Sequence, residues 1–109
     1  MAGIFTVKNL AEGQLPTSKT ALYITPSGTQ TIIKTIILVN TDTSSKTVNL
    51  YFKANGGISR RIIPKDMELE PSYSLIFDDE LTLGEGDAIE GDASVENIVD
   101  YTINGVEEV

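Results

Sequence analysis

The sequence contains no cysteine, no histidine and no tryptophan. Without cysteine there can be no disulfide bond, no thiolate metal site and no thiol redox chemistry. Without histidine the chain lacks the commonest general base and the commonest metal ligand. Serine and threonine are plentiful, but a nucleophilic triad needs a base that activates the hydroxyl. These absences predict a protein that is not an enzyme and that binds no cofactor.

Long apolar runs are missing as well. No stretch of about 18 apolar residues occurs, so the sequence predicts no transmembrane helix and no membrane partner. Residues 1–5 have neither the basic flank nor the long apolar core of a secretory signal, so we expect synthesis in the cytoplasm.

Charge is distributed unevenly along the 109 residues, whose net charge is −8. All basic residues except Lys65 precede Pro64, and all acidic residues except Glu12 and Asp42 follow it. Both halves carry strand patterns, so a disordered acidic tail is not predicted. The favoured interpretation is that the halves interleave in one sandwich and partly neutralise each other; the alternative is an acidic rim that meets a basic partner. The long acidic half argues against nucleic-acid binding.

Short strand signals recur about every ten residues between turn clusters. The strongest signal is TIIKTIILVN at residues 31–40, whose β-branched residues favour a pleated surface over a helix. No helical stripe of ten or more residues appears. We therefore predict an all-β fold, with residues 1–109 as a single antiparallel β-sandwich or jelly-roll-like domain of about eight short strands.

The first residues allow two interpretations. Residues 1–10 form either an N-terminal arm or an edge strand, and the apolar side chains of Ile4, Phe5 and Val7 are candidates for contact with a neighbouring molecule. Residues 9–18 are polar and contain Gly13 and Pro16, so they are predicted to be a loop.

Acidic residues supply the only candidate metal site. Asp78, Asp79 and Glu80 are followed by the further acidic residues Glu85, Asp87, Glu90 and Asp92. Calcium binds six to eight oxygens, but the EF-hand spacing is absent. Solvated loops that protect strand edges explain the cluster better, so no metal is predicted. Asp78, Asp79 and Glu80 remain candidates for a protein interface.

Among the basic residues, Arg60 and Arg61 are the best candidates for contact with a partner, because an arginine fork pairs bidentately with carboxylates. Successive strand residues point to opposite faces, so these two side chains cannot serve one flat surface. At least one of them is expected to be structural.

Several segments resemble small virion structural proteins of tailed bacteriophages. They are LYITPSGT (22–29), LVNT (38–41), VNLY (48–51), RRIIPK (60–65), FDDEL (77–81), GDAIEG (86–91) and VDY (99–101). The resemblance covers most of the chain, from about Leu10 to Glu107, and carries over no catalytic or ligand residue. It implies a virion component without giving its place in the particle.

Together these features predict a capsid cement or decoration protein. It would bind the outer surface of the major capsid protein lattice, gain affinity from many copies and associate with itself as a trimer or dimer. The alternative is a neck, tail or fibre-attachment module of the virion that contacts the host. A glycan-active or metal-dependent enzyme ranks third.

Overall fold

The computed structural model describes residues 3–109. In that range the chain forms ten strands and two five-stranded antiparallel sheets that make a sandwich. The strands are β1 Phe5–Gln14, β2 Thr20–Ile24, β3 Gln30–Asn40, β4 Lys46–Lys53, β5 Ser59–Arg61, β6 Met67–Leu69, β7 Ser74–Phe77, β8 Leu81–Leu83, β9 Ala88–Ala93 and β10 Val99–Glu108. Across these residues no helix is long and apolar enough to cross a membrane.

Each sheet combines strands that are distant in sequence. In sheet I the order is β1-β10-β3-β7, and β8 also pairs with β3. In sheet II the order is β2-β9-β4-β5, and β6 also pairs with β4. The predicted all-β antiparallel sandwich is confirmed. The strands number ten in residues 3–109, against about eight predicted, and one edge of each sheet consists of two short strands.

These divided edges have the same construction in both sheets. Strands β7 and β8 lie along β3, and residues 78–80 interrupt them. Strands β5 and β6 lie along β4, and residues 62–66 interrupt them. A broken, charged edge is a poor template for another strand. These two edges are therefore protected against unwanted pairing.

The core lies between the sheets and takes one face of each long strand. In β3 the buried side chains include Ile33, Ile36 and Leu38, and in β4 they include Val48 and Leu50. Because side chains alternate across a strand, these residues point towards the opposite sheet. The remaining side chains with no exposed surface in the core are Leu15, Leu83, Ile89, Val99 and Ile103.

A β-bulge in sheet I requires a glycine. Asn104 lies opposite Thr35 and Gly105 lies opposite Ile33, so Lys34 is the extra residue on β3. A Cβ atom on Gly105 would lie 2.1 Å from the carbonyl oxygen of Ile32. No side chain fits there, so the close approach of β10 to β3 depends on glycine at this position.

The loop predicted for residues 9–18 is wrong over its first part. Strand β1 runs from Phe5 to Gln14 as the edge strand of sheet I, with an irregularity in its register between Asn9 and Ala11. The bulge absorbs one residue and lets the pairing continue to Gln14, and Leu15 N–H still donates to Val99 O. Polar residues in this segment lie on the solvent side of an edge strand, which is why they look like a loop in the sequence.

Candidate interaction surfaces

The start of β1 offers both backbone groups and apolar side chains to a partner. Ile4 N–H donates to Val109 O (2.9 Å) and Val109 N–H donates to Ile4 O (3.0 Å). Backbone groups alternate in direction along an antiparallel pair, so Phe5 and Val7 direct theirs away from β10. The structure pairs no other strand of residues 3–109 with this edge. The side chains of Phe5 and Val7 are 65% and 84% exposed.

An apolar row crosses the face of sheet I that points away from the core, called the outer face of sheet I below. Val7, Val106, Ile32 and Thr82 lie directly opposite one another on β1, β10, β3 and β8. Beside this row lies a small groove of about 90 Å³. The groove is lined by Phe5, Gln30, Ile32, Thr82, Val106 and Glu108. A second apolar pair on this face, Ile37 opposite Ile76, lies further along β3 and β7.

The charged residues of this face are mainly acidic. The register places Glu12, Asp100 and Glu108 on the same side as Val7 and Val106. Asp100 accepts a hydrogen bond from Gln14 Nε2 at 2.9 Å. The one basic side chain at this level of β3 is Lys34 at the bulge, and it forms an ion pair with Glu80. Glu108 beside the apolar row, with Glu12 and Asp100 further along the strands, therefore makes this face acidic.

The outer face of sheet II has a different character around Tyr51, because side chains of the chain itself cover this ring. The Tyr51 ring points away from the core but is only 8% exposed. Lys19 Nζ lies 5.1 Å and Arg61 Cζ 5.0 Å from the ring centroid. Both distances fall within the range of cation–π attraction. The Tyr51 hydroxyl donates to Asp92 at 3.0 Å, and burial is the main cause that raises the pKa of this tyrosine.

Asn49 lies on the same face as Tyr51, two residues earlier in β4, and connects several side chains through hydrogen bonds. Its Nδ2 donates to Asp92 Oδ1 (2.8 Å) and to Asp66 Oδ1 (3.0 Å). Its Oδ1 accepts hydrogen bonds from Arg61 Nη1 and from the backbone N–H of Asp66. Every polar atom of this buried amide therefore has a partner.

The two adjacent arginines have different surroundings. Arg61 lies opposite Tyr51 and packs on its ring, whereas Arg60 lies opposite Phe52 on the other side of β5. Both are exposed. Arg61 thus has a structural partner within the chain, and Arg60 is the arginine that can turn towards another molecule.

The acidic candidates lie apart from one another. Asp78, Asp79 and Glu80 are exposed in the segment that divides β7 from β8. Asp87 accepts hydrogen bonds from the backbone N–H groups of Asn55 and Gly84 and therefore fixes a turn. The remaining acidic candidates Glu85, Glu90 and Asp92 accept hydrogen bonds from other groups of the chain. Among residues 3–109 no group of three or more Asp and Glu side chains is arranged to hold a metal ion.

A polar cluster links the two sheets at the end of the sandwich where β1 begins. The Tyr23 hydroxyl on β2 donates to Glu107 Oε2 on β10 at 2.6 Å and shares a 2.8 Å hydrogen bond with Thr31 Oγ1. Lys8 lies 3.3 Å from Glu107 Oε1. Burial, and then the bond to Glu107, raise the pKa of Tyr23 to about 12, whereas the bond from Tyr23 lowers the pKa of Glu107.

The structure does not bring the eight interface candidates together. Ile4, Phe5 and Val7 lie at one edge of sheet I, and residues 78–80 lie at its opposite edge, beyond β10 and β3. Arg60 and Arg61 lie at an edge of sheet II. The role of these residues in an interface stays a prediction.

No protein-family profile and no curated protein matches this sequence. Solved structures share its fold. A chain in the structure of the infectious bursal disease virus Gx strain aligns with a TM-score of 0.56 at 9% identity, over 97% of this chain and 32% of that chain. A chain in the acidic stable capsid structure of Helicobacter pylori bacteriophage KHP30 aligns with a TM-score of 0.56 at 12% identity, over 100% of this chain and 90% of that chain.

The present chain therefore spans about a third of the bursal disease virus chain and almost all of the phage chain. At such low identities the likeness shows a shared fold. The resemblance drawn from the sequence agrees with these neighbours to this extent: the chain has the fold of β-rich chains found in virus structures.

Sequence reasoning missed Ile32 and Val106, the centre of the apolar row. A signal for them was present, because β3 has isoleucines at consecutive positions 32–33 and 36–37. Consecutive apolar residues in a strand place apolar side chains on both of its faces. Since only one face of sheet I meets sheet II, the other isoleucine of each pair had to lie on the outer face.

Proposed function

We propose that this chain is a virion structural protein, and that it acts as a capsid cement or decoration protein. The observation that carries the proposal is the likeness to the chain of the phage KHP30 capsid structure, which extends over both chains almost from end to end.

The chemistry of the chain supports a binding role over a catalytic one. The sequence offers no histidine or cysteine, and the carboxylates near Gly84–Asp92 are engaged in turns and strand contacts. A rigid sandwich without reactive groups suits a protein that occurs in many copies on a repeating lattice. Weak contacts made by each copy are then sufficient, because linked copies bind together.

The proposed contacts lie around sheet I. Ile4, Phe5 and Val7 would meet the major capsid protein or a neighbouring copy at the free edge of β1. Asp78, Asp79 and Glu80 would act at the far edge, where they keep β7 and β8 from pairing with the wrong strand. Among the arginines we assign a partner contact to Arg60, because Arg61 packs on Tyr51. Self-association as a trimer or dimer on the symmetry axes of the shell belongs to the same proposal.

Cryo-electron microscopy of purified virions that contain this polypeptide tests the proposal. Density for the sandwich repeated over the whole capsid surface is the expected result. Density at a single vertex, at the neck or on the tail would replace the cement function with a joining or host-attachment function. Absence of the polypeptide from purified particles, measured by mass spectrometry, would overturn the virion role itself.

A further inference from the structure

The two outer faces of the sandwich differ in how far the chain covers them. On sheet II the outward ring of Tyr51 is 8% exposed, because Lys19 and Arg61 lie over it. On sheet I the outward side chains of Val7 and Ile76 are exposed, as is the ring of Phe5. On sheet II the chain's own side chains cover Tyr51, although Ile24 of β2 is 57% exposed on the same face. On sheet I the exposed apolar side chains are more numerous and have no such cover.

The apolar groups of sheet I form a continuous surface. Val7, Val106 and Ile32 are direct neighbours on three adjacent strands, which lie about 4.8 Å apart in a sheet. The ring of Phe5 extends this row as one wall of the groove. Single exposed apolar residues are ordinary on a protein surface, whereas a contiguous row marks a surface that another molecule covers.

The charges around the row indicate what kind of molecule this is. Glu108 lies beside the row, two residues from Val106 on β10, and Glu12 and Asp100 lie on the same face further along β1 and β10. Lys34, the basic side chain of this face at the bulge, is already paired with Glu80. Complementary charge sets partner choice at an interface, and like charges brought together are costly. Two copies meeting through this face would bring acidic residues together.

We propose that the outer face of sheet I is a docking face for a protein surface with apolar side chains bordered by lysine or arginine. The proposal rests on the proposed function, in which that surface belongs to the major capsid protein. Sheet II, with Tyr51 covered, then faces solvent. The face is thereby assigned to a partner and not to a second copy of this chain.

The first experiment tests the chemistry of the face without any capsid. The ¹⁵N-labelled protein is titrated with a short strand-forming peptide of alternating valine and lysine, and its counterpart of alternating valine and glutamate serves as the control. We expect amide shifts at Val7, Ile32 and Val106, none at Tyr51, and a much weaker response to the glutamate peptide. Shifts centred on sheet II, or equal responses to the two peptides, would overturn the docking face.

The second experiment uses capsids assembled without this chain and measures its binding by co-sedimentation. Val7→Lys adds a positive charge to the face, and Ile58→Lys is its control, because Ile58 is 70% exposed in the turn between β4 and β5 of sheet II. Glu12→Lys reverses an acidic charge on the same face, and Glu68→Lys on β6 of sheet II is its control. The two face variants are expected to weaken binding by about tenfold or more, which corresponds to about 1.4 kcal/mol, and the two controls to bind as the wild type does.

The outcomes separate the two proposals. Wild-type binding that Val7→Lys and Glu12→Lys leave unchanged would overturn the docking face and leave the cement function in place. Failure of the wild type to bind capsids would overturn the cement function. The peptide titration would then decide on the docking face alone: shifts on the outer face of sheet I support it, and shifts elsewhere overturn it.

Discussion

Tyr23 of sheet II donates a 2.6 Å hydrogen bond to Glu107 of sheet I, and this bond joins the two layers through a polar contact. The contact lies at the end of the sandwich where β1 begins and β10 ends. Thr31 is the second partner of the Tyr23 hydroxyl, and Lys8 is the second partner of the Glu107 carboxylate. The core joins the sheets without directional bonds, so this cluster helps to fix their relative position through specific atoms. A second such link is the buried hydrogen bond from Asn40 Nδ2 of β3 to Leu69 O of β6 at 2.9 Å.

Replacing Tyr23 with phenylalanine should destabilise the fold. The variant keeps the ring in the core but leaves Thr31 and Glu107 without the hydroxyl, and such a loss costs about 1–3 kcal/mol in buried surroundings. Urea denaturation followed by circular dichroism measures the change. Tyr73→Phe is the matched control, because the Tyr73 ring is exposed. Equal stability of the two variants would contradict a structural role for the hydroxyl.

Stability should fall at alkaline pH because of Tyr23. Its pKa is raised from 10.0 to about 12 by burial and by Glu107. Between these values the unfolded chain has lost the phenolic proton and the folded chain still holds it, so the unfolding free energy decreases as pH rises through this window. Urea midpoints measured across the window check this, together with tyrosinate absorbance. In Tyr23→Phe the decrease should be smaller.

Because of Glu107, the unfolding free energy should also fall in acid. The hydrogen bond from Tyr23, and then Lys8, lower its pKa from the ordinary 4.5. As pH falls below 4.5 the unfolded chain takes up this proton first, so stability is lost as pH falls through the lowered pKa. A ¹³C carboxyl titration of the folded protein measures that pKa directly. An unshifted value in the wild type, or the same value in Tyr23→Phe, would contradict the assignment.

Asn49→Asp should be more harmful at neutral pH than in acid. The amide donates to Asp66 and Asp92, and the variant would place a third carboxylate against these two. Close carboxylates cannot all ionise, so one of them should titrate well above the usual range. Thermal melts at pH 7 and near pH 4 should show a large loss at the first pH and partial recovery at the second.

The control for this variant is Asn97→Asp, which makes the same charge change at an exposed position. Asn97 has a φ of 60°, a conformation that aspartate tolerates. A similar loss of stability in both variants at pH 7 would mean that net charge, and not the Asn49 cluster, causes the effect.

Local patterns predicted the fold class well because strand periodicity and turn residues act over a few positions. The β-branched run of β3 and the alternation of Val48, Leu50 and Phe52 in β4 follow directly from the pleat of a strand. The length of strand β1 was predicted too short. An edge strand needs apolar residues on one face only, and the bulge near Leu10 breaks the alternation. The pairing of the short strands of the far edges with β3 and β4 could not be predicted, since it joins residues that are distant in sequence.

Of the apolar row on the outer face of sheet I, the sequence predicted only the residues at one end. Phe5 and Val7 were selected because they are apolar residues near a terminus, and the structure shows them at the end of a longer row. Val106 escaped notice because its neighbours in that row come from β1 and β3, far away in sequence. Arg61 packs on Tyr51, in keeping with the expectation that at least one of the two arginines is structural. Contacts between distant strands are not encoded in local spacing.

Gly105→Ala should be the most damaging of the small glycine replacements in sheet I. Its Cβ would meet the carbonyl oxygen of Ile32 at 2.1 Å and the Leu10 side chain at 2.9 Å. The clash with backbone cannot be relieved by a rotamer change, so the bulge must shift or open, at a cost of about 3 kcal/mol or more, in the range of severe core defects. Differential scanning calorimetry measures the loss.

Gly84→Ala provides the matched control for this replacement. The nearest atom to a Cβ there is Asp87 Oδ2 at 3.6 Å, which is ordinary contact, so its stability should stay within about 1 kcal/mol of the wild type. Because the bulge sets how β10 crosses β3, Gly105→Ala should also shift the amide resonances of Val106 and Ile32 in the apolar row. A Gly105→Ala protein that melts like Gly84→Ala would show that β10 can move away from β3 at little cost, and that the row on the outer face does not depend on the bulge for its alignment.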